Sequence, residues 1–272
     1  MSAASGRIRI GVGGWSFPPW RGSFYPHGLV QKRELAYAAE HLTSIEINAT
    51  FYRTQKPESF EKWRDEAPEG FVFSVKAPRY ATNRPALAEA GASVERFFAS
   101  GVLALEDKLG PILWQLPPTK RFDPDDLAAF LALLPKAIDG RPLRHALEVR
   151  HASFARAEFV ALAREHGVAI VVAGDARYPQ IADATAPFAY ARIMGTTQAE
   201  PLGYAPAALD LWAARAKAWA AGRMPEGLAT VASPPSEPPS GGAGRDVYLY
   251  VISGEKARNP AAAMALIERL GG

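Results

Sequence analysis

The chain is expected to fold as α/β, a single (β/α)8 barrel of the TIM type, on three observations. Eight short apolar runs recur at residues 8–13, 44–48, 71–76, 111–116, 145–150, 168–175, 188–194 and 247–253. Helix-like or loop stretches separate them, and at least five of the runs leave a charged or amide residue at their carboxyl end. The length of 272 residues also suits one such barrel, which typically needs about 250. One domain is therefore expected over 1–272, with its chemistry on the loops that follow the strands.

The helical stretches take their places in order at 31–42, 58–67, 92–108, 123–134, 156–165, 206–221 and 260–270. Asp123-Pro124 and Asn259-Pro260 are good start signals, because a proline fits the first helical turn. The link at 176–186 is short enough for only a stunted helix. Residues 233–244 (SPPSEPPSGGAG) are rich in Pro, Ser and Gly and have little to bury, so a flexible loop is expected before the last strand.

Strand parity says which side chains look inward, since alternate residues of a strand face opposite sides. In the second run Ile45 and Ile47 face the helices, which turns Glu46 and Asn48 to the barrel axis. The fifth run repeats this, with Leu147 and Val149 outward and Glu148 and Arg150 inward. Lys76, Gln115 and the pair Tyr190 and Arg192 are placed inward in the same way. Charges near a barrel axis are costly unless paired. They point either to a functional site or to a structural ion-pair layer that closes the barrel.

Composition narrows the function classes. Hydrophobic residues make up 48% and charged residues 22%, as in ordinary globular proteins. No apolar stretch approaches the ~20 residues of a membrane span, and the first residues lack the apolar core of a secretory signal. A cytoplasmic protein without membrane partners is expected. The absence of cysteine excludes disulfides, thiolate nucleophiles and cysteine metal sites. A net charge of +3 and a pI near 9.1 suit an anionic ligand but do not by themselves imply nucleic acid.

Two segments are dense in chemistry. Residues 11–26 (GVGGWSFPPWRGSFYP) combine glycines with flat apolar side chains, and of these Trp15 and Ser16 lie nearest the strand end and are the better ligand candidates. The glycines do not form GxGxxG, and proline rather than helix follows them. Residues 46–53 (EINATFYR) bring together Glu46 as an acid or base, Asn48 as an orienting amide, and Tyr52 and Arg53 for a ring and an anion. Lys76, Arg79, Arg150 and Arg192 add positive charge to the same rim, and Glu148 and Asp175 add carboxylates. The five histidines show no metal-ligand spacing, so no metal and no cofactor is expected.

At these residues the chain resembles the YecE-like family, also known as domain of unknown function 72. The blocks that carry the resemblance are GGWSFPPWRGSFYP at 13–26, EINATFYR at 46–53, FSVKAPR at 73–79, GPILWQLPP at 110–118, LEVRHASF at 147–154 and YARIMG at 190–195. The resemblance implies a TIM-type barrel of unassigned activity. It also exposes departures. This chain has Asn83 and Met194 where the family commonly carries histidines, and Val251-Ile252-Ser253 where it usually has Phe-Asn-Asn.

The favoured expectation is a metal-independent barrel enzyme acting on a small anionic or sugar-like substrate. Glu46, Glu148 and Lys76 are its catalytic candidates. Trp15, Ser16, Asn48, Tyr52, Arg53, Arg79, Gln115, Arg150, Asp175 and Arg192 are its binding candidates. Nucleic-acid binding or processing is the first alternative, and a non-catalytic binding protein is the second.

Overall fold

Eight parallel strands close on one another in chain order. They are β1 (Ile8–Gly13), β2 (Ser44–Ile47), β3 (Val72–Lys76), β4 (Leu109–Gln115), β5 (His145–Glu148), β6 (Ala169–Gly174), β7 (Phe188–Ile193) and β8 (Asp246–Val251). The computed structural model describes residues 5–234 and 244–271; nine residues of the expected loop, 235–243, lie outside them. β1 closes the barrel against β8, with Ile8 opposite Val247 and Val12 opposite Val251. The two ends of the chain thus complete one ring of hydrogen bonds.

Among the described residues, helices α1 (Glu34–His41), α2 (Pro57–Glu66), α3 (Gly91–Ala99), α4 (Pro124–Ala132), α5 (Ala157–Glu165), α6 (Pro206–Ala220) and α7 (Asn259–Leu270) surround the strands. Proline opens α2, α4, α6 and α7 within their first two positions, where its missing N–H costs nothing. Asp123 caps α4 by accepting a hydrogen bond of 3.1 Å from the Asp126 N–H. The expected helix at 92–108 is interrupted. α3 ends at Ala99, Gly101 turns at φ 97°, and a 3-10 segment, Val102–Lys108, continues to β4. A side chain at Gly101 would also strike Pro57, so a glycine is required there on two counts.

The link between β6 and β7 carries no helix. Its residues form a turn, bends and irregular backbone, with Ala182 N–H bonded to Ala229 C=O at 2.8 Å. The Asp183 carboxylate accepts from Val231 and Ala232 N–H at 2.9 and 3.0 Å. These bonds tie the link to the irregular segment that follows α6.

The parity expected from the sequence holds in the packing. Ile45, Ile47, Val75, Leu147 and Val149 belong to the large core between strands and helices. The barrel axis has its own smaller cluster, which includes Leu113, Ala146, Val171, Phe188, Tyr190, Tyr248 and Tyr250. Tyr250 lies midway along the axis and shares hydrogen bonds of 2.7 Å with both Ser44 and Ser74 hydroxyls. A satisfied polar layer of this kind fills the barrel with few voids and supports the charged layer above it.

Candidate functional site at the barrel mouth

The charged layer is built by side chains from opposite sides of the cylinder. Arg192, on β7, donates from Nε and Nη2 to Glu46 of β2 at 3.1 and 3.0 Å, and from Nη1 to Glu148 of β5. Tyr190 completes Glu46 with a 2.7 Å bond to Oε2. Arg150 Nε and Gln115 Nε2 complete Glu148, both at Oε1, at 2.6 and 3.0 Å. Burial raises the Glu148 carboxyl, but Arg192 and then Arg150 outweigh it and hold the group down at about 2. The Arg192 guanidinium loses hydration on burial, yet Glu148 and Glu46 more than compensate and raise it above its ordinary value.

Above this layer opens a cavity of about 500 Å³. Lys76, Gln115, Arg150 and Arg192 contribute to its deep surface, and Lys256 adds a fourth cation. Asn48, Asn83 and Asn259 supply amides, while Phe51, Tyr52, Pro117, Pro118 and Ile252 supply apolar wall. Gly13 belongs to the wall as well. A Cβ there would come within 2.7 Å of Asn48 Nδ2 and 2.8 Å of Ile252 Cδ1, so the absent side chain keeps the opening clear.

Glu46 and Glu148 are fully buried and do not line the cavity. Four cations meet two carboxylates here, and both carboxylates, beneath the floor, are committed to the Arg192 and Arg150 guanidinium groups. Lys76 lies at 7% exposure with Nζ 3.9 Å from the centre of the Phe51 ring. Burial lowers its pKa to about 8; Arg192 and Arg150 push in the same direction, and Glu46 and Glu148 only partly offset them.

Other candidates stand elsewhere. Trp15 and Ser16 line a separate cleft with Gln31, Lys62 and Trp63, where the two indoles meet edge to face at 5.2 Å. Arg53 and Arg79 are exposed and lie outside the cavity lining. Asp175 adopts a left-handed backbone at φ 54° and accepts from Tyr204 O–H at 3.1 Å and Trp212 Nε1 at 3.0 Å. It therefore ties the end of β6 to α6, away from the cavity lining.

Comparison with known proteins agrees with the barrel fold. The profile described as "Protein of unknown function DUF72" matches residues 9–272. The chain belongs to the DUF72 family. UPF0759 protein YecE from Escherichia coli K12 is 31% identical over 150 residues, 54% of this chain and 50% of that protein. UPF0759 protein YunF from Bacillus subtilis 168 is 32% identical over 116 residues, 41% of this chain and 40% of that one. The chain thus spans about half the length, or less, of the curated relatives it matches. Solved DUF72 structures share the fold. One from Thermotoga maritima superposes with a TM-score of 0.74 at 22% identity, covering 98% of this chain and 100% of that one. One from Enterococcus faecalis gives 0.65 at 16% identity, covering 97% and 96%.

Within this DUF72 chain, three of the departure positions, Asn83, Ile252 and Ser253, are part of the cavity wall, whereas Met194 is not. The last strand ends at Val251, two residues short of the expected boundary, and Ser253 turns at φ 64°. Phe51, Lys256 and Asn259 also line the cavity, although the sequence did not single them out as site residues. Lys256 lies in the connection after β8 and Asn259 opens α7 at its end, and a place between a strand and the helix that follows was the signal that could have found them. No helix of the described residues is long and apolar enough to cross a membrane.

Proposed function

We propose that this DUF72 chain is an enzyme that binds a small anionic or sugar-like substrate in the mouth cavity and acts on it through Lys76. The carrying observation is the division of charge: the two carboxylates lie below the floor and balance Arg192 and Arg150, which leaves Lys76 and Lys256 as surplus cations lining the cavity. An excess of positive charge in a partly enclosed hollow attracts anions and holds them more firmly than the same charges would in open water.

Each group then has a role. Arg150 and Lys256 neutralise the anionic end, since Arg150 uses Nε on Glu148 and keeps its Nη nitrogens for a ligand. Asn48, Asn83, Gln115 and Asn259 suit hydroxyl or carbonyl oxygens, and Phe51 with Tyr52 offers a face for a ring or carbon chain. Lys76 supplies the reactive amine, because burial lowers its pKa to about 8 and favours the uncharged form. Glu46 and Glu148 are positioning residues that fix Arg192 and Arg150.

Thermal unfolding with a panel of sulfate, phosphate, carboxylic acids, sugar phosphates, neutral sugars and single-stranded oligonucleotides tests this reading. Small anions and phosphorylated sugars are expected to stabilise the protein. Arg150→Met is expected to weaken the best of them by about tenfold, the effect of one lost charge-assisted contact. Stabilisation by neutral sugars alone, or by oligonucleotides but no small anion, would overturn it.

A further inference from the structure

We propose that Lys76 is a carbonyl-capturing amine, and that the cavity takes a small aldehyde or ketone bearing an anionic group, which it holds as a Schiff base. The inference rests on reading the cavity as an anion site and adds the chemical class of the substrate.

Geometry singles out this lysine. Lys76 is the last residue of β3, so its side chain rises from a rigid element at the end where barrel chemistry is carried out. Its carbonyl is held from below, accepting a 2.7 Å bond from the Thr50 hydroxyl. Among the described residues its Nζ makes no ion pair and donates no hydrogen bond; it lies over the Phe51 ring and is open to the cavity. The two carboxylates that might have claimed it are occupied by Arg192 and Arg150. An ammonium in this setting is poorly solvated and surrounded by other cations, which favours the neutral amine, the nucleophilic form of lysine.

The step balances without any added oxidant or reductant. The lone pair of the neutral amine attacks the carbonyl carbon, a C–N bond forms, and the carbonyl π electrons move to oxygen. Nitrogen gives up one proton and oxygen gains it, forming the carbinolamine; the C–O bond then breaks as the nitrogen lone pair forms C=N, and the second nitrogen proton goes to the departing hydroxyl, which leaves as water. If the imine is protonated, its positive charge sits near Glu46 and Glu148, the two groups that already favour a cation at Lys76. The anionic end of the substrate would reach Arg150 deep in the cavity or Lys256 at its rim.

Lys256 is the internal control, because it is the other amine of the cavity. It is exposed and sits 4.3 Å from the centre of the Phe17 ring. An amine that captures carbonyls merely because it is accessible would be Lys256 rather than the 7% exposed Lys76.

Reductive trapping decides between them. The whole protein is incubated with cyanoborohydride and either pyridoxal 5′-phosphate or 5-deoxypyridoxal, which lacks the phosphate and, having no 5′-hydroxyl to close on the aldehyde, keeps it equally free, and with glyoxylate as a two-carbon probe. Adducts are counted by intact mass and located by peptide mapping. The expected result is a single fast adduct on Lys76, formed about tenfold faster with the phosphate than without it and slowed by sulfate. Lys76→Arg should lose the adduct while keeping its circular dichroism, and Lys256→Gln should keep the adduct but lose part of the phosphate advantage. Labelling of Lys256 or of surface lysines with Lys76 untouched by all three probes overturns the Schiff-base proposal, and stabilisation by sulfate in the same samples would leave the anion reading standing. A Lys76 adduct formed equally fast from 5-deoxypyridoxal and pyridoxal 5′-phosphate, indifferent to sulfate, would overturn the anion reading while the amine chemistry stood.

Discussion

The two ends of this barrel carry similar numbers of cations and use them in opposite ways. At the mouth, Arg192 and Arg150 grip two fully buried carboxylates, and the remaining positive charge borders a cavity. At the other end, Arg7, Arg9, Arg141 and Arg144 surround a concavity of about 420 Å³ with Glu106, Asp107 and Asp246 among them. There the carboxylates are wet: the Arg141 ion pair ends on a fully exposed Asp107, and the Arg144 pair with Asp246 has both side chains about a third or more exposed, although Arg144 also donates to the buried Tyr248 hydroxyl. Water screens these carboxylates far more than Glu46 and Glu148. Similar residue types therefore contribute little at one end and dominate the local energetics at the other.

This contrast can be broken by substitution. Arg192→Leu leaves two carboxylates buried without their common partner, and a loss of about 3–5 kcal/mol in urea unfolding is expected. Arg141→Leu at the far end, whose ion-pair partner Asp107 is fully exposed, should cost less than about 1 kcal/mol in the same assay. Equal losses would show that burial is not what separates the two ends.

Acid unfolding sharpens it further. The folded-state pKa of Glu148, about 2, lies below its ordinary 4.5, so its contribution is fully present above 4.5 and is lost as pH falls toward 2. Glu148→Gln should start less stable at neutral pH and show a flatter decline through that window.

A smaller effect of opposite sign is expected at Lys76. Its folded-state pKa, lowered from 10.5 to about 8, means that the unfolded chain binds the proton more tightly, so the cost is full below pH 8 and fades as pH rises toward 10.5. Lys76→Met should therefore raise stability at pH 7 by about 1–3 kcal/mol, while abolishing carbonyl capture and weakening anion binding. Such an exchange of stability for function is expected of a catalytic group and not of a structural one.

Much of the scaffold could be read from periodicity because each barrel strand declares its faces locally. Glu46, Lys76, Gln115, Glu148 and Arg192 all turned inward as strand parity required. Which of them would pair was not legible. Arg192 meets Glu46 and Glu148 across the cylinder, and that meeting depends on the stagger of β2, β5 and β7 rather than on any local pattern. Loop residues were harder still. Trp15 and Ser16 lie within a few residues of the end of β1, as Asn48 does of β2, yet only Asn48 joins the cavity. The loop after β1 is fixed by contacts that no local pattern announces: Trp20 is buried and its indole N–H reaches the Lys256 carbonyl at 2.8 Å, more than two hundred residues away in sequence.

The proton affinity of Lys76 tests the account most directly, because desolvation, surplus positive charge and anion binding all act on it. A side-chain NMR titration of the labelled lysines, with and without saturating sulfate, reads it in one measurement. Lys76 should titrate near pH 8 in the free protein, apart from the other lysines, and should move upward when sulfate stabilises its charged form. A midpoint near 10.5 that ignores sulfate would mean that the amine is solvated and the cavity holds no anion.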